Sequence, residues 1–240
     1  MAPAPEREII LISHGSPFLP VLQEIAGRDV AHRLAELLPG AQVRGVTLAA
    51  KGALEKAVEG LDTPVVCPWF MSDGWFVGTH LPKRLRAAGL TSWRATPPLG
   101  LMPGIGALLH GGLRSGLAAE GWRAADTTLI MAAHGSPSSD RPRIATEAAA
   151  KALSRRETFK AIRTCYVDEP PAIRDAARVD GQAMVLPFFA ARAGHVTDDL
   201  PEELEAAGFE GPVLAPVGTW QESCALAAEQ ILAVPATQAA

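Results

Sequence analysis

Two histidines and a glutamate in the second half of the sequence have side chains suited to metal and proton chemistry. His134, Glu169 and His195 each come after a short apolar run. Imidazole and carboxylate groups together suit a divalent transition metal ion, and imidazole also accepts protons near neutral pH. Their separations of 35 and 26 residues are too long for a local metal motif. The three residues therefore form a site only if the fold brings them together.

The apolar runs predict the elements that would position these residues. Short apolar runs bounded by turn residues are typical of buried parallel strands. Strands are predicted over 8–13, 42–48, 64–70 and 93–97, and over 127–133, 160–167, 183–189 and 212–216. Helices are predicted over 18–38, 52–60, 80–88 and 104–118, and over 141–155, 171–178, 199–207 and 219–233. Ligands of such sheets bind beyond the carboxyl ends of the strands, where the three site residues would lie.

The sequence also repeats itself. Three segments recur in the same order: HGSP at 14–17 and 134–137, LPKRLRAAG at 81–89 with LPEELEAAG at 200–208, and PLG at 98–100 with PVG at 216–218. We therefore predict an α/β fold of two tandem flavodoxin-like domains, 1–120 and 121–240. Each is predicted to be a four-stranded parallel sheet with helices on both faces.

The two halves differ where the chemistry would occur. His134 aligns with His14, but His195 aligns with Phe76, and the acidic pair Asp168–Glu169 aligns with two alanines. If these strand-end positions served only the structure of the turns, both halves could have kept the same residues there. We therefore predict that the catalytic and metal-binding residues are His134, His195 and Glu169, and that the first half has lost part of the site.

Composition excludes several classes of protein. The 240 residues carry a formal net charge of −4, which argues against a nucleic-acid partner. No apolar stretch approaches the ~18 residues of a membrane helix, and the N-terminus has no apolar signal core. Three widely spaced cysteines predict neither a disulfide framework nor a metal site. We expect a cytoplasmic protein without a membrane partner, either a monomer or a homodimer.

With these motifs in place, the sequence resembles the class II chelatases of cobalamin and siroheme biosynthesis, in their two-repeat CbiX-type form. The resemblance covers essentially the whole chain. It rests on HGS at 134–136, on the acidic residue followed by prolines at 169–171, and on PFFAARAGHVTDDLP at 187–201. It implies two flavodoxin-like domains that face each other across a cleft holding the tetrapyrrole.

The resemblance also implies an activity and a role for each site residue. The enzyme, a lyase, would insert a divalent metal, Co²⁺ or Fe²⁺, into a metal-free tetrapyrrole such as sirohydrochlorin without ATP. The metal-binding histidines map onto His134 and His195, and the acidic helper maps onto Glu169. The substrate metal, Co²⁺, Fe²⁺ or Ni²⁺, is the only cofactor expected. Asp198 or Asp199 could orient His195 or cap the following helix.

Sirohydrochlorin carries many carboxylates, so cationic groups are expected around its site. The candidate substrate-binding residues are the cations Arg141 and Arg192, Ser136 of the HGS turn, and the rings of His14, Trp75 and Phe76. Solvated surface charges are the alternative interpretation for the arginines, and a vestigial role is the alternative for His14. Arg143 is a further cation near the same strand end.

Two other functions remain open from the sequence. One is a chelatase for a different porphyrin, and the other is a non-catalytic carrier of metal or tetrapyrrole on the same fold. The repeated helix is basic at 81–89 and acidic at 200–208. This contrast predicts a dimer contact, a basic lip for an acidic substrate, or simply two solvated helix faces.

Overall fold

Two parallel β-sheets form the framework of the computed structural model, which describes residues 7–15 and 20–235. The strands are β1 (Arg7–Ser13), β2 (Ala41–Thr47), β3 (Val65–Pro68), β4 (Arg94–Ala95), β5 (Thr128–Ala133), β6 (Ala161–Tyr166) and β7 (Ala183–Pro187). The first sheet has the order β2-β1-β3-β4, and the second has the order β6-β5-β7. All pairings are parallel, which confirms the predicted α/β class.

Helices alternate with the strands as predicted. They are α1 (Pro20–Glu36), α2 (Ala53–Val58), α3 (Leu81–Ala87), α4 (Ile105–Glu120), α5 (Arg141–Ser154), α6 (Ile173–Ala176), α7 (Leu200–Ala206) and α8 (Gln221–Ala233). The predicted start of the first helix at residue 18, and Ser16 and Pro17 of the first HGSP segment, lie outside the described residues. Within the described part of the chain, no helix is both long enough and apolar enough to cross a membrane.

The second sheet has three strands, so the prediction of four strands in this sheet is wrong. Over 212–216 the chain makes only an isolated parallel bridge, between Val213 and Val185. Pro212 explains the difference. The position aligned with it in the first half is Arg94, whose backbone N–H donates to the carbonyl of Pro64 at 3.0 Å. Proline has no N–H to donate, so the ladder bond is lost and the strand does not extend.

The chain divides into two compact units that are not continuous in sequence. The first unit is Met1–Pro103 with Gln221–Ala240, and the second is Gly104–Trp220. They differ from the predicted halves in their last helices. In the second unit α4 packs on α5, where a Cβ added to Gly106 would lie 2.8 Å from the Cβ of Ala152. In the first unit α8 packs on α1 and β3.

Each unit has its own apolar core beside its sheet. In the first unit, side chains of β1 such as Ile10 and Ile12 pack with residues of α2 and α3. In the second unit, Ile130 and Ala132 of β5 pack in the same way with residues of α6 and α7. Helix-covered faces explain why these strands consist of nearly continuous apolar residues.

Some of the charges that differ between the repeated helices form ion pairs within their own unit. In the first unit, Arg84 of α3 lies 3.8 Å from Glu55 of α2. In the second unit, Glu203 of α7 accepts a 2.8 Å hydrogen bond from Nε of Arg174 of α6. These are aligned positions with reversed polarity. The Arg174 guanidinium holds the pKa of the Glu203 carboxyl below its ordinary value.

The thiols of the three cysteines are expected to react only when the protein is unfolded. All three are free and buried, and burial raises the pKa of Cys67 and of Cys165 to about 12. Because the thiolate is the reactive form, we expect Ellman's reagent at about pH 8 to leave all three thiols unmodified in the folded protein. All three should react in guanidinium chloride. Rapid reaction of any thiol before unfolding would contradict this expectation.

Candidate functional site

The turn after β5 presents His134 at the carboxyl end of the second sheet. Gly135 follows it with a φ of +73°, a left-handed conformation that favours glycine. A Cβ at this position would lie 2.8 Å from the Cβ of Tyr166 and 2.9 Å from the Cγ of Glu169. The missing side chain therefore allows the HGS turn to pack closely against Tyr166, the last residue of β6, and against Glu169, which follows the strand.

The sheet brings His134 and His195 into direct contact. Their ring centroids are 4.3 Å apart, and the ring planes meet at 74°, an edge-to-face arrangement. Their side chains are 49% and 42% exposed, so both rings remain accessible to a ligand. These two predicted ligands thus form a pair.

Each of the two histidines has a carboxylate beside its Nδ1 atom. His195 Nδ1 donates to Asp199 Oδ2 at 2.6 Å. His134 Nδ1 lies 3.2 Å from Asp168 Oδ2 and 3.1 Å from the carbonyl oxygen of Gly135. Because these partners are acceptors, Nδ1 carries the ring proton in both residues. The Nε2 lone pairs are then available for a metal ion or a proton.

Asp168 and Asp199 are site residues whose contacts the sequence did not determine. Asp199 makes no side-chain capping bond at α7, so orientation of His195 is the role that the contacts support. The π-helical turn His195–Asp199 brings these two side chains together, and such turns are frequent at functional sites. Asp168 was not among the predicted site residues. The signal was present, because Asp168 belongs to the acidic pair that the first half lacks.

Glu169 is held by a different set of contacts. Its Oε1 accepts the backbone N–H of Ser136 at 3.1 Å, and its Oε2 lies 3.5 Å from Nε of Arg143. The side chain is 15% exposed. Among the described residues, no three His, Cys, Asp or Glu side chains form a group that could hold a metal ion. The contacts of Glu169 therefore tie it to the turn that carries His134.

The candidate substrate-binding residues of the second unit lie around the same strand ends. Arg141 is the first residue of α5, Arg192 lies in the loop after β7, and both are exposed. The backbone N–H of Ser136 donates to Glu169 Oε1, and the Ser136 Oγ accepts the backbone N–H of Ser138 at 3.3 Å.

The aligned place in the first unit holds a cluster of rings. The His14 and Phe76 centroids are 4.1 Å apart at 68°, and Trp75 stacks on His80 at 4.8 Å and 25°. The side chains of Trp75 and Phe76 are 60% and 36% exposed. Three predicted substrate-binding residues, His14, Trp75 and Phe76, are thus brought together, and His80 joins them.

The Asp199–His195 bond gives a prediction about metal affinity. If His195 binds metal as predicted, we expect Asp199→Asn to weaken Co²⁺ binding by about 10-fold or more, because the carboxylate that orients the His195 ring is lost. Asp198→Asn is the matched control, since Asp198 is an exposed neighbour in the same turn. Titration of Co²⁺ by visible absorption measures both. Equal affinities for the two variants would contradict the orienting role.

Sequence and structure comparisons relate the chain to chelatases. The family model described as CbiX matches residues 128–235. The structure of CbiX, the terminal enzyme for biosynthesis of siroheme in denitrifying bacteria, is similar over 96% of this chain and 100% of that chain. The two share 40% sequence identity, with a TM-score of 0.88.

More distant structures share the fold. A multi-domain protein of Deinococcus radiodurans, with structural similarity to chelatases and two additional novel domains, has 25% identity and a TM-score of 0.69. That similarity covers 95% of this chain and 54% of that one. SirB from Bacillus subtilis with Fe³⁺ has 13% identity and a TM-score of 0.72, over 94% of each chain. No curated protein sequence matches the chain.

Proposed function

The chain belongs to the CbiX family of chelatases, and we propose that it inserts a divalent metal ion into metal-free sirohydrochlorin without ATP, using the strand ends of its second unit. The observation that carries the proposal is the His134–His195 pair, with ring centroids 4.3 Å apart and both Nδ1 atoms beside acceptors. Imidazole suits Co²⁺, Fe²⁺ and Ni²⁺ alike, so the donor set supports each as substrate.

Two imidazoles bind the metal and still allow its release. The Nε2 atoms of His134 and His195 are the nitrogens available for this role. A site with few protein ligands leaves coordination positions for water and for the incoming pyrrole nitrogens. Holding the ion beside the macrocycle makes the transfer effectively intramolecular. The metal then leaves the histidines as the ring nitrogens replace them.

Insertion of a divalent ion releases two pyrrole protons, which need acceptors. In our proposal the two imidazoles accept them once the metal has left Nε2, and they later pass them to water. Asp168 and Asp199 stabilise the resulting imidazolium rings through Nδ1. The carboxylates also keep each ring in the orientation that presents Nε2.

Glu169 is proposed as the assisting carboxylate. Its bond to the Ser136 N–H and its ion pair with Arg143 support a role in fixing the turn that carries His134. Its negative charge near this turn also favours a divalent cation. Direct coordination of the metal by Glu169, and proton transfer to it, stay predictions.

We also propose that Ser136, Arg141 and Arg192 contact the substrate. Exposed guanidinium groups can bind the peripheral carboxylates of sirohydrochlorin in a bidentate manner. The exposure of both arginines near the strand ends supports this role. Their contacts with the substrate stay predictions.

The two halves, 1–120 and 121–240, are proposed to be copies of one unit. Repeated contacts support this origin. Arg44 donates to the carbonyls of Ala57 and Glu59, and the aligned Arg163 donates to those of Ala176 and Arg178. A Cβ on Gly100 or on the aligned Gly218 would meet a carbonyl oxygen at 2.1 Å or 2.0 Å. The same tight approach of two backbone segments thus occurs in both halves.

The activity is tested with the metal-free substrate. We expect the protein to accelerate the absorption change of sirohydrochlorin with Co²⁺, Fe²⁺ or Ni²⁺, under anaerobic conditions and without ATP. A rate that never exceeds the protein-free rate would overturn the proposal. Tight binding of sirohydrochlorin without turnover would replace it with the carrier function.

A further inference from the structure

The two units carry opposite charges on their matching outer helices. These are α2 and α3 in the first unit and α6 and α7 in the second. Over 53–59 and 172–178, and over 81–87 and 200–206, every charged position exchanges a cation for a carboxylate or the reverse. The six exchanges are Glu55 with Arg174, Lys56 with Asp175, Glu59 with Arg178, Lys83 with Glu202, Arg84 with Glu203, and Arg86 with Glu205.

The alignment of these helices rests on packing as well as on sequence. A constant offset of 119 residues relates the two helix pairs. At this offset Leu54 falls on Ile173 and Leu85 falls on Leu204, and each of these side chains is buried in the core of its own unit. The positions that face solvent are therefore equivalent in the two units.

Ion pairs inside the units account for only part of the reversal. One pair joins α2 to α3, and its reversed counterpart joins α6 to α7. Four exposed residues lie outside these two pairs. We call Lys83 with Arg86 on α3 the basic face, and Glu202 with Glu205 on α7 the acidic face. Pairing between neighbouring helices gives no reason for the opposite charges of these faces.

The two faces are complementary in spacing as well as in sign. The two cations are three residues apart on α3, and the two carboxylates are three residues apart on α7. Side chains at this separation lie on the same side of a helix. Because the spacings are equal, both cations can meet both carboxylates whether the two helices run parallel or antiparallel.

We propose that the basic face of one molecule binds the acidic face of a second copy of this chain, so that the protein self-associates in solution. The partner is a second copy because one chain carries both faces, with the same backbone and the same spacing of opposite charges. Contacts between two basic faces or two acidic faces are disfavoured, since they place like charges opposite each other. This contact needs neither metal nor tetrapyrrole, so it is independent of the proposed function.

The first test is the salt dependence of self-association, measured by sedimentation velocity over a range of protein concentrations. We expect species heavier than the monomer at about 0.02 M NaCl, and the monomer alone at about 1 M, where the Debye length falls to about 3 Å. A wild type that stays monomeric at low salt would overturn the proposal. Association that persists at high salt would also overturn it, because the contact would then not depend on exposed charges.

The second test reverses one face at a time. Lys83→Glu/Arg86→Glu leaves a chain with two acidic faces, and Glu202→Lys/Glu205→Lys leaves a chain with two basic faces. We expect each variant alone to associate at least about 10-fold more weakly than the wild type at low salt, because like charges then meet. Wild-type association in either variant would contradict the contact between the two faces.

Mixing the two variants should restore association. The first variant keeps the wild-type acidic face and the second keeps the wild-type basic face, so a mixed complex can form the original contact. A mixture of the two folded variants that remains monomeric would overturn the proposal. Circular dichroism of each variant establishes that it is folded.

The matched control makes the same change of net charge elsewhere. Lys151→Glu/Arg155→Glu replaces two exposed cations at the end of α5. We expect this variant to associate as the wild type does, since both faces are intact. An equal loss of association in the control would attribute the effect to net charge and would contradict the proposed faces.

Discussion

Replacing His195 with alanine is expected to lower the rate of metal insertion by about 100-fold or more, which is the usual contribution of a positioned proton acceptor. In the proposed function, the variant loses one metal ligand and one acceptor for a pyrrole proton in the same step. The fold should be retained, because the His195 side chain is 42% exposed and its deletion leaves no closed cavity. Stopped-flow absorption with metal-free sirohydrochlorin and Co²⁺ measures the rate.

His134→Ala should lose activity to a similar extent, because the proposed function has both rings act on one metal ion. We expect the double variant to be little slower than either single variant, because residues that act as a unit are not additive. His110→Ala is the matched control. His110 belongs to the same unit, on α4, and pairs with Glu157 at 3.4 Å. An active His195→Ala variant would remove the histidine pair from the mechanism.

Gly135→Ala is expected to have the largest effect on stability. The new Cβ would lie 2.8 Å from the Cβ of Tyr166 and 2.9 Å from the Cγ of Glu169, and φ is +73°. The left-handed conformation costs about 1–2 kcal/mol for alanine, and overpacking adds about 1–3 kcal/mol. We expect the free energy of unfolding to fall by about 2–5 kcal/mol. Insertion should also slow, because the displaced turn carries His134.

Gly208→Ala is a control that separates the conformational cost of alanine from the cost of overpacking. Gly208 has a φ of +69°, and a Cβ there would have no neighbour within 4 Å. This control should lose only the conformational part, about 1–2 kcal/mol, and should keep full activity. Urea unfolding compares the two variants. Equal losses of stability would show that Tyr166 and Glu169 move aside for the new methyl group at position 135.

Much of the fold follows from local sequence patterns. Apolar runs such as 127–133 predicted strands at the right places, because a parallel strand covered by helices on both faces needs apolar residues throughout. The predicted helices end within two residues of the observed ones. The fourth strand predicted for the second sheet does not form, because Pro212 has no backbone N–H to donate to its neighbour. The apolar pattern of the sequence gives no sign of the loss of one donor.

The sequence predicted which residues belong to the candidate site, but it did not predict the contacts between their side chains. Comparing the two halves selected His134, Glu169 and His195, because only the second half keeps this set. The sequence could not reveal that Asp199 bonds to His195, since an aspartate before a helix predicts a cap equally well. It also could not show that Asp168 lies beside His134 while Glu169 is tied to Ser136.

The sequence by itself thus determined the class of fold, the repeated segments, and the chemical difference between the two halves. These depend on local patterns and on residue identity, which are visible along the chain. The tertiary structure alone decided that α4 packs in the second unit and α8 in the first, and which carboxylate meets which histidine. Such pairings depend on contacts between residues far apart in the chain, whose geometry is set by the packing of whole elements.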